Sequence, residues 1–142
     1  MTTEANKDVV RRFYDLLWNK ADIAQASQLI HPRCVRHDPA GPVPGGPEGF
    51  ASTRQKWITG FSDLTLVIDL MLAEGDLVTA RWTITAKHTG AFAGVPVSFK
   101  TIRFSGVNIF RIENGQVAEI WNHRDDLSVM RQIEPIPPLA QG

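Results

Sequence analysis

The sequence predicts an α+β fold: a curved antiparallel sheet, shaped as a cone, with three N-terminal helices packed on one face. Three observations predict it. Apolar residues recur at helical spacing through the first third of the chain. After Gly60 the period changes from helical to alternating. The turn sequences EGD and ENG then join the alternating stretches. Helices first and long antiparallel strands afterwards define this class, and the space between the layers is a conical cavity.

From Thr3 to about Asn19, Val9, Val10, Phe13, Leu16, Leu17 and Trp18 mark one face of a first helix, with Thr3 as its N-cap. A second, shorter helix fits Asp22 to Ile30 and ends before Pro32, so His31 reads as a helix end. The proline- and glycine-rich run that follows in CVRHDPAGPVPGG excludes regular structure there. A third helix spans Pro47 to Gly60, with Phe50 and Trp57 inward. Leu64, Leu66, Ile68, Leu70 and Leu72 then alternate with more polar neighbours. Val78, Ala80, Trp82, Ile84, Ala86 and His88 share one face of the next strand. Ile102, Phe104, Asn108, Phe110 and Ile112 share one face of a third, and Ala118, Ile120, Asn122 and Arg124 one face of a fourth. LSVMRQI closes the fold as a helical turn. We read one domain over 1–142, with 1–3 and 134–142 as flexible tails.

The ENG turn decides which side chains share the cavity. A two-residue loop of Asn114 and Gly115 pairs Glu113 with Gln116 and sets Asn108 opposite Trp121. A three-residue loop pairs Ile112 with Gln116, with Gly115 taking the left-handed position. The three-residue loop aligns the apolar faces and is the expected one. It brings Asn108 and Asn122 together on an apolar face. A buried amide without partners costs on the order of 1–3 kcal/mol, so the two bond each other, a water or a ligand.

Composition excludes several function classes. The 142 residues carry 15 Lys plus Arg and 15 Asp plus Glu, a formal charge of zero that argues against nucleic-acid and electrostatic membrane binding. One cysteine, Cys34, rules out an internal disulfide. No apolar run reaches the ~20 residues of a membrane span, and MTTEANKDVVRR has no signal core, so a soluble, cytoplasmic protein is expected. His31, His37, His88 and His123 lack metal-ligand spacing, and there is no phosphate loop and no nucleophile elbow. No metal and no cofactor are expected.

Among the titratable groups, His37 in VRHDP is the first choice of base, because imidazole titrates near neutral pH and the loop it opens lies at the expected cavity mouth. Bonding of loop backbone is its other reading. Asp38 precedes a proline and reads first as a turn opener. His88 ends its strand beside Trp82 and Ile84, as a cavity or a structural histidine. Arg124 closes the wall. One of Asp125 and Asp126 caps the last helix. Trp18, Thr53, Trp57, Trp82, Phe104 and Phe110 are the expected substrate contacts, ahead of Phe13, Tyr14 and Phe50. His123 shares the parity of Trp121 on the outer face.

The stretches HPRCVRHDPAGPVPGGPEGF, GFSDLTLVIDLMLAEGDLVTARWT, KHTGAFAGVP and FSGVNIFRIENGQVAEIWNHRDDLSVMRQI, in this order and spacing, resemble the SnoaL-like polyketide cyclase (ester cyclase) family of the nuclear transport factor 2-like superfamily. The resemblance implies a cone-shaped domain, a homodimer through the outer sheet face, and metal-free, cofactor-free ring closure by an intramolecular aldol step. It implies an acid/base aspartate at the position of Asn122 and an assisting histidine at that of Asn108. Both positions hold amides here, which take no proton at neutral pH but still hydrogen-bond a carbonyl or enolate oxygen. The expected function is therefore a cyclase, isomerase or lyase acting on an apolar carbonyl compound. His37, Asn108, Asn122 and Arg124 form its expected site. A non-catalytic binder of the same fold is the alternative. Epoxide opening, which in related cone-shaped hydrolases uses an Asp-Arg-Asp set, is a further one, and TIRFSGV offers no aspartate for it.

Overall fold

The computed structural model describes residues 2–134. Helix α1 (Thr3–Tyr14) is followed by a π-helical turn over Asp15–Asn19. Thr2, not Thr3, is the N-cap, its side chain accepting from the Ala5 amide at 3.0 Å. Met1 and the expected C-terminal tail from 135 onward lie outside the described residues. The wider turn, closed by Lys20 N on Asp15 O at 2.7 Å, inserts an extra residue into the helix. Asn19 then bonds both backbone groups of Leu66, donating to its oxygen at 3.1 Å and accepting from its nitrogen at 2.8 Å. Asn19 thus stands in for a neighbouring strand at that edge. Helix α2 (Ile23–Gln28) is capped by Asp22.

The segment after α2 corrects the sequence reading. Ile30–His37 is a strand, β1, and His31 lies inside it rather than at a helix end. Helix α3 (Gly46–Gly60) and strands β2 (Phe61–Glu74), β3 (Leu77–His88), β4 (Thr101–Glu113) and β5 (Gln116–Arg124) follow as expected, then helix α4 (Asp126–Ile133). The sheet order is β1-β5-β4-β3-β2, and β1 runs parallel to β5 while every other pair is antiparallel. The helices cover one face, where Phe13 lies edge-on to Tyr14, Phe50 and Phe110, with ring centroids 5.3–5.7 Å apart.

Among the register shifts of the sheet, one in β2 and one in the last hairpin change which face of their strand turns inward. In β2 the register shifts between Ile68 and Leu70, so Leu70 and Leu72 turn outward instead of continuing the Leu66 face. Asp69, at the shift, accepts from Thr83 Oγ1 at 2.6 Å on the outer side. In the last hairpin the loop has two residues: Glu113 pairs with Gln116, and Asn114 and Gly115 both have positive φ. The expected three-residue loop is not used. Instead Ile112 pairs with Val117 and Arg111 with Glu119, so Ala118 is an extra residue. That bulge restores the parity the loop alone would lose, and Asn108 pairs with Asn122 as the apolar pattern demanded.

Candidate active site

The inner face of the cone holds a cavity lined by Tyr14, Trp18, Thr53, Trp57, Trp82, Phe104, Asn108, Asn122 and Arg124, together with Phe13, Leu17, Arg36, Phe50, Leu66, Ile84 and Ile120. Within this lining, Asn108 is brought opposite Ala80 by the β3–β4 pairing and opposite Asn122 by the bulge. The hydroxyl of Tyr14 and the indole Nε1 of Trp82 both donate to Asn108 Oδ1, each at 2.7 Å. Asn108 Nδ2 donates to Asn122 Oδ1 and, more distantly, to Trp121 O. This relay fixes the orientation of both amides. The oxygen of Asn108 is occupied by two donors, and the oxygen of Asn122 by one. Among the described residues Asn122 Nδ2 has no hydrogen-bond partner, so the free polar end of Asn122 is an N–H donor.

Local packing explains why the relay forms here. Gly106 lies opposite Trp82 in the β3–β4 pairing, and a Cβ at Gly106 would overlap the Trp82 indole. The missing side chain lets that ring cross the strand and reach Asn108. Burial holds the Tyr14 phenol well above its ordinary pKa, so it stays a neutral donor.

Around the rim, the basic groups are held by the chain itself. Arg36 is buried and donates to the carbonyls of Pro44 and Gly49 at 3.0 Å, with its guanidinium 4.6 Å from the centre of the Phe50 ring. Burial, and then the charge of Arg124, lower its pKa, while Asp38 opposes them. Arg124 reaches Asp38 Oδ2 at 3.2 Å and Asp126 Oδ1 at 3.1 Å. An Asp-Arg-Asp arrangement therefore exists, built from the residue after β1, from β5 and from α4 rather than from β4. Arg36, Thr53, Trp57 and Arg124 also line a second cavity, a vestibule of about 270 Å³ that adds Asp38, Lys56, Phe92 and Asp126. The inner chamber alone holds about 50 Å³. Sites for drug-sized ligands enclose roughly 300 Å³ or more, so neither space reaches that size alone.

Three expected site residues are not in this cavity. His37 lies on the outer face, stacked on Trp121 at 5.0 Å and bonded to Glu119 Oε2 at 2.6 Å. Strand parity is the cause: Cys34 and Arg36 of β1 face inward, and His37, one residue on, faces out. His88 is fully buried and holds the β3–β4 connection. The Ser98 amide donates to its Nδ1 at 3.2 Å, which makes Nδ1 an acceptor and leaves the proton on Nε2. Phe110 is buried beneath Phe13 and Tyr14, without reaching the cavity surface. Asp125, as expected of one of the pair, caps α4 by accepting from the Ser128 amide at 3.1 Å.

Sequence reasoning missed Arg36 and undervalued Tyr14. The signal for Arg36 was the alternation Ile30, Cys34, Arg36, legible only once β1 is recognised as a strand. Among the described residues no group of three His, Cys, Asp or Glu side chains is placed to hold a metal, and no helix is long and apolar enough to cross a membrane.

The family model for the SnoaL-like polyketide cyclase matches residues 8–133. The chain belongs to the SnoaL-like polyketide cyclase family. Aklanonic acid methyl ester cyclase DnrD of Streptomyces peucetius is 28% identical over 95% of this chain and 94% of its own. The solved structure of TsrD from Streptomyces laurentii superposes with a TM-score of 0.84 at 27% identity, over 96% of this chain and 99% of that one. AclR from Streptomyces galilaeus superposes with a TM-score of 0.87 at 21% identity, over 99% of this chain and 87% of that one, which speaks for the fold. The cone of the SnoaL-like and nuclear transport factor 2-like proteins is thus the architecture of this chain.

Proposed function

We propose that this protein is a cofactor-free cyclase that binds a polyketide-like, carbonyl-bearing substrate across the inner chamber and the vestibule. One observation carries the reading: the Tyr14–Trp82–Asn108–Asn122 relay leaves an amide N–H as the free polar end of Asn122 on an otherwise apolar wall. A fixed donor in a low-dielectric cavity stabilises the negative charge that grows on a carbonyl oxygen during enolisation and aldol closure. Tyr14 and Trp82 hold the donor in place, and Trp57 and Phe104, stacked with centroids 5.2 Å apart, offer flat apolar surface to a ring system. Kinship with a cyclase of aklanonic acid methyl ester makes that ester the first substrate to try. A soluble, cytoplasmic homodimer is part of this reading. The outer face exposes Val67, Leu70, Leu72 and Leu77, the apolar surface that a second copy would cover.

A non-catalytic binder is the second reading. It is favoured by the inner lining, where the titratable groups are Tyr14, Arg36 and Arg124, with neither imidazole nor carboxylate among them.

Incubation with aklanonic acid methyl ester, in the presence of a chelator and without added cofactor, separates the two. A cyclase yields a ring-closed isomer of unchanged mass at a rate proportional to protein. Binding without any isomer formed supports the second reading.

A further inference from the structure

With Asn108 and Asn122 unable to take a proton, and His37 on the far side of the sheet, the cavity still contains one carboxylate in a protected position. The Asp38 side chain is only 5% exposed, yet it lines the vestibule. Its Oδ1 accepts from the Ala40 amide at 3.0 Å, which fixes the turn, and its Oδ2 meets Arg124 Nη2 at 3.2 Å. Arg124 and Arg36 line both the vestibule and the inner chamber, so Asp38 sits against the boundary between the two spaces. The other carboxylate there, Asp126, is 55% exposed on α4. The charged groups that line the vestibule with Asp38 are Arg36 from β1, Lys56 from α3, Arg124 from β5 and Asp126 from α4, and on its other side His37 and His123 line an outer groove with it.

We propose that Asp38 is the proton-transferring base of this site, with Arg124 as its positioning residue. This rests on the cyclase reading and deepens it. Asp38 takes a proton from the carbon between two substrate carbonyls. The C–H electron pair moves onto a carbonyl oxygen, which receives the Asn122 N–H. The enolate carbon attacks a second carbonyl, forming the C–C bond and an alkoxide. The alkoxide takes the proton back from Asp38. Nothing is oxidised or reduced, and the product is an isomer of the substrate.

The test uses a probe unrelated to polyketides, 5-nitrobenzisoxazole, whose ring opens when a base removes its C3 proton. The C–H pair forms the nitrile, the N–O bond breaks, and a coloured phenolate is released. The proton passes from Asp38 to water. We expect the wild type to open the probe faster than free acetate does. Asp38→Asn is expected to lose at least roughly 100-fold, the usual worth of a general base, while Asp126→Asn loses less than about tenfold. Asp38→Ala should regain rate when acetate is added, which a merely structural Asp38 would not allow. The proposal is overturned if the wild type gives no acceleration, if Asp38→Asn keeps the rate, or if acetate rescues nothing. Cyclisation that persists in Asp38→Asn removes Asp38 alone. Probe opening that depends on Asp38, without cyclisation by the wild type, removes the cyclase reading and leaves Asp38 standing.

Discussion

The hydroxyl of Tyr14 on α1 donates to Asn108 Oδ1 on β4 at 2.7 Å, across 94 positions of sequence. That bond ties the helical layer to the sheet and helps orient the donor that the cavity offers. Replacing Tyr14 with Phe leaves Asn108 Oδ1 with Trp82 Nε1 alone. A lost buried hydrogen bond of this kind costs about 1–2 kcal/mol, so Tyr14→Phe should lower stability by that amount in urea denaturation, with unfolding cooperativity kept.

Gly106→Ala tests the packing beneath the relay. A Cβ there would overlap the Trp82 indole and the His123 carbonyl oxygen. Overpacking costs typically 1–3 kcal/mol, and here it also pushes Trp82 away from Asn108. We expect a stability loss of about 2–3 kcal/mol by denaturation, together with a changed tryptophan fluorescence spectrum.

His37→Ala should leave turnover of a confirmed substrate close to that of the wild type, because its side chain lies on the outer face against Trp121 and Glu119, away from the cavity. A loss of kcat with normal folding would instead restore His37 as the base expected from its sequence context.

Glu119 predicts a pH dependence. The hydrogen bond from His37, and then that from Arg111, hold its carboxyl below the ordinary value of 4.5. A depressed folded-state value means the stabilisation is present above the ordinary value and is lost as pH falls through the folded one. Denaturation midpoints should therefore fall as pH drops below about 4.5, and Glu119→Gln should flatten that slope.

How far the sequence could be read is clearest at β1 and the ENG turn. Strands β2 to β5 announced themselves by alternation, since each has one face in the core. Strand β1 contains Pro32 and Arg33, and its partner β5 lies far along the chain in a parallel arrangement, so no local turn signal marks it. Missing β1 put His37 in the cavity and Arg36 out of it. The Asn108–Asn122 pairing was legible because apolar faces must align. The route to it was not, because the extra residue Ala118 does the work that a longer loop was expected to do. Trp18, Thr53, Trp57, Trp82 and Phe104 were legible as lining because their elements were placed correctly. The vestibule was not, because it forms between α3, α4 and the segments that follow β1 and β3.

The proposed role of Asn122 is to present an N–H to a substrate carbonyl. Its most direct test is calorimetric binding of a confirmed substrate or product to the wild type and to Asn122→Leu, with thermal melts to verify folding. Affinity at least about tenfold weaker is expected in Asn122→Leu, equivalent to about 1.4 kcal/mol for one lost hydrogen bond to a polar ligand. Equal affinity in the two proteins would contradict it and assign both asparagines to the support of the sheet.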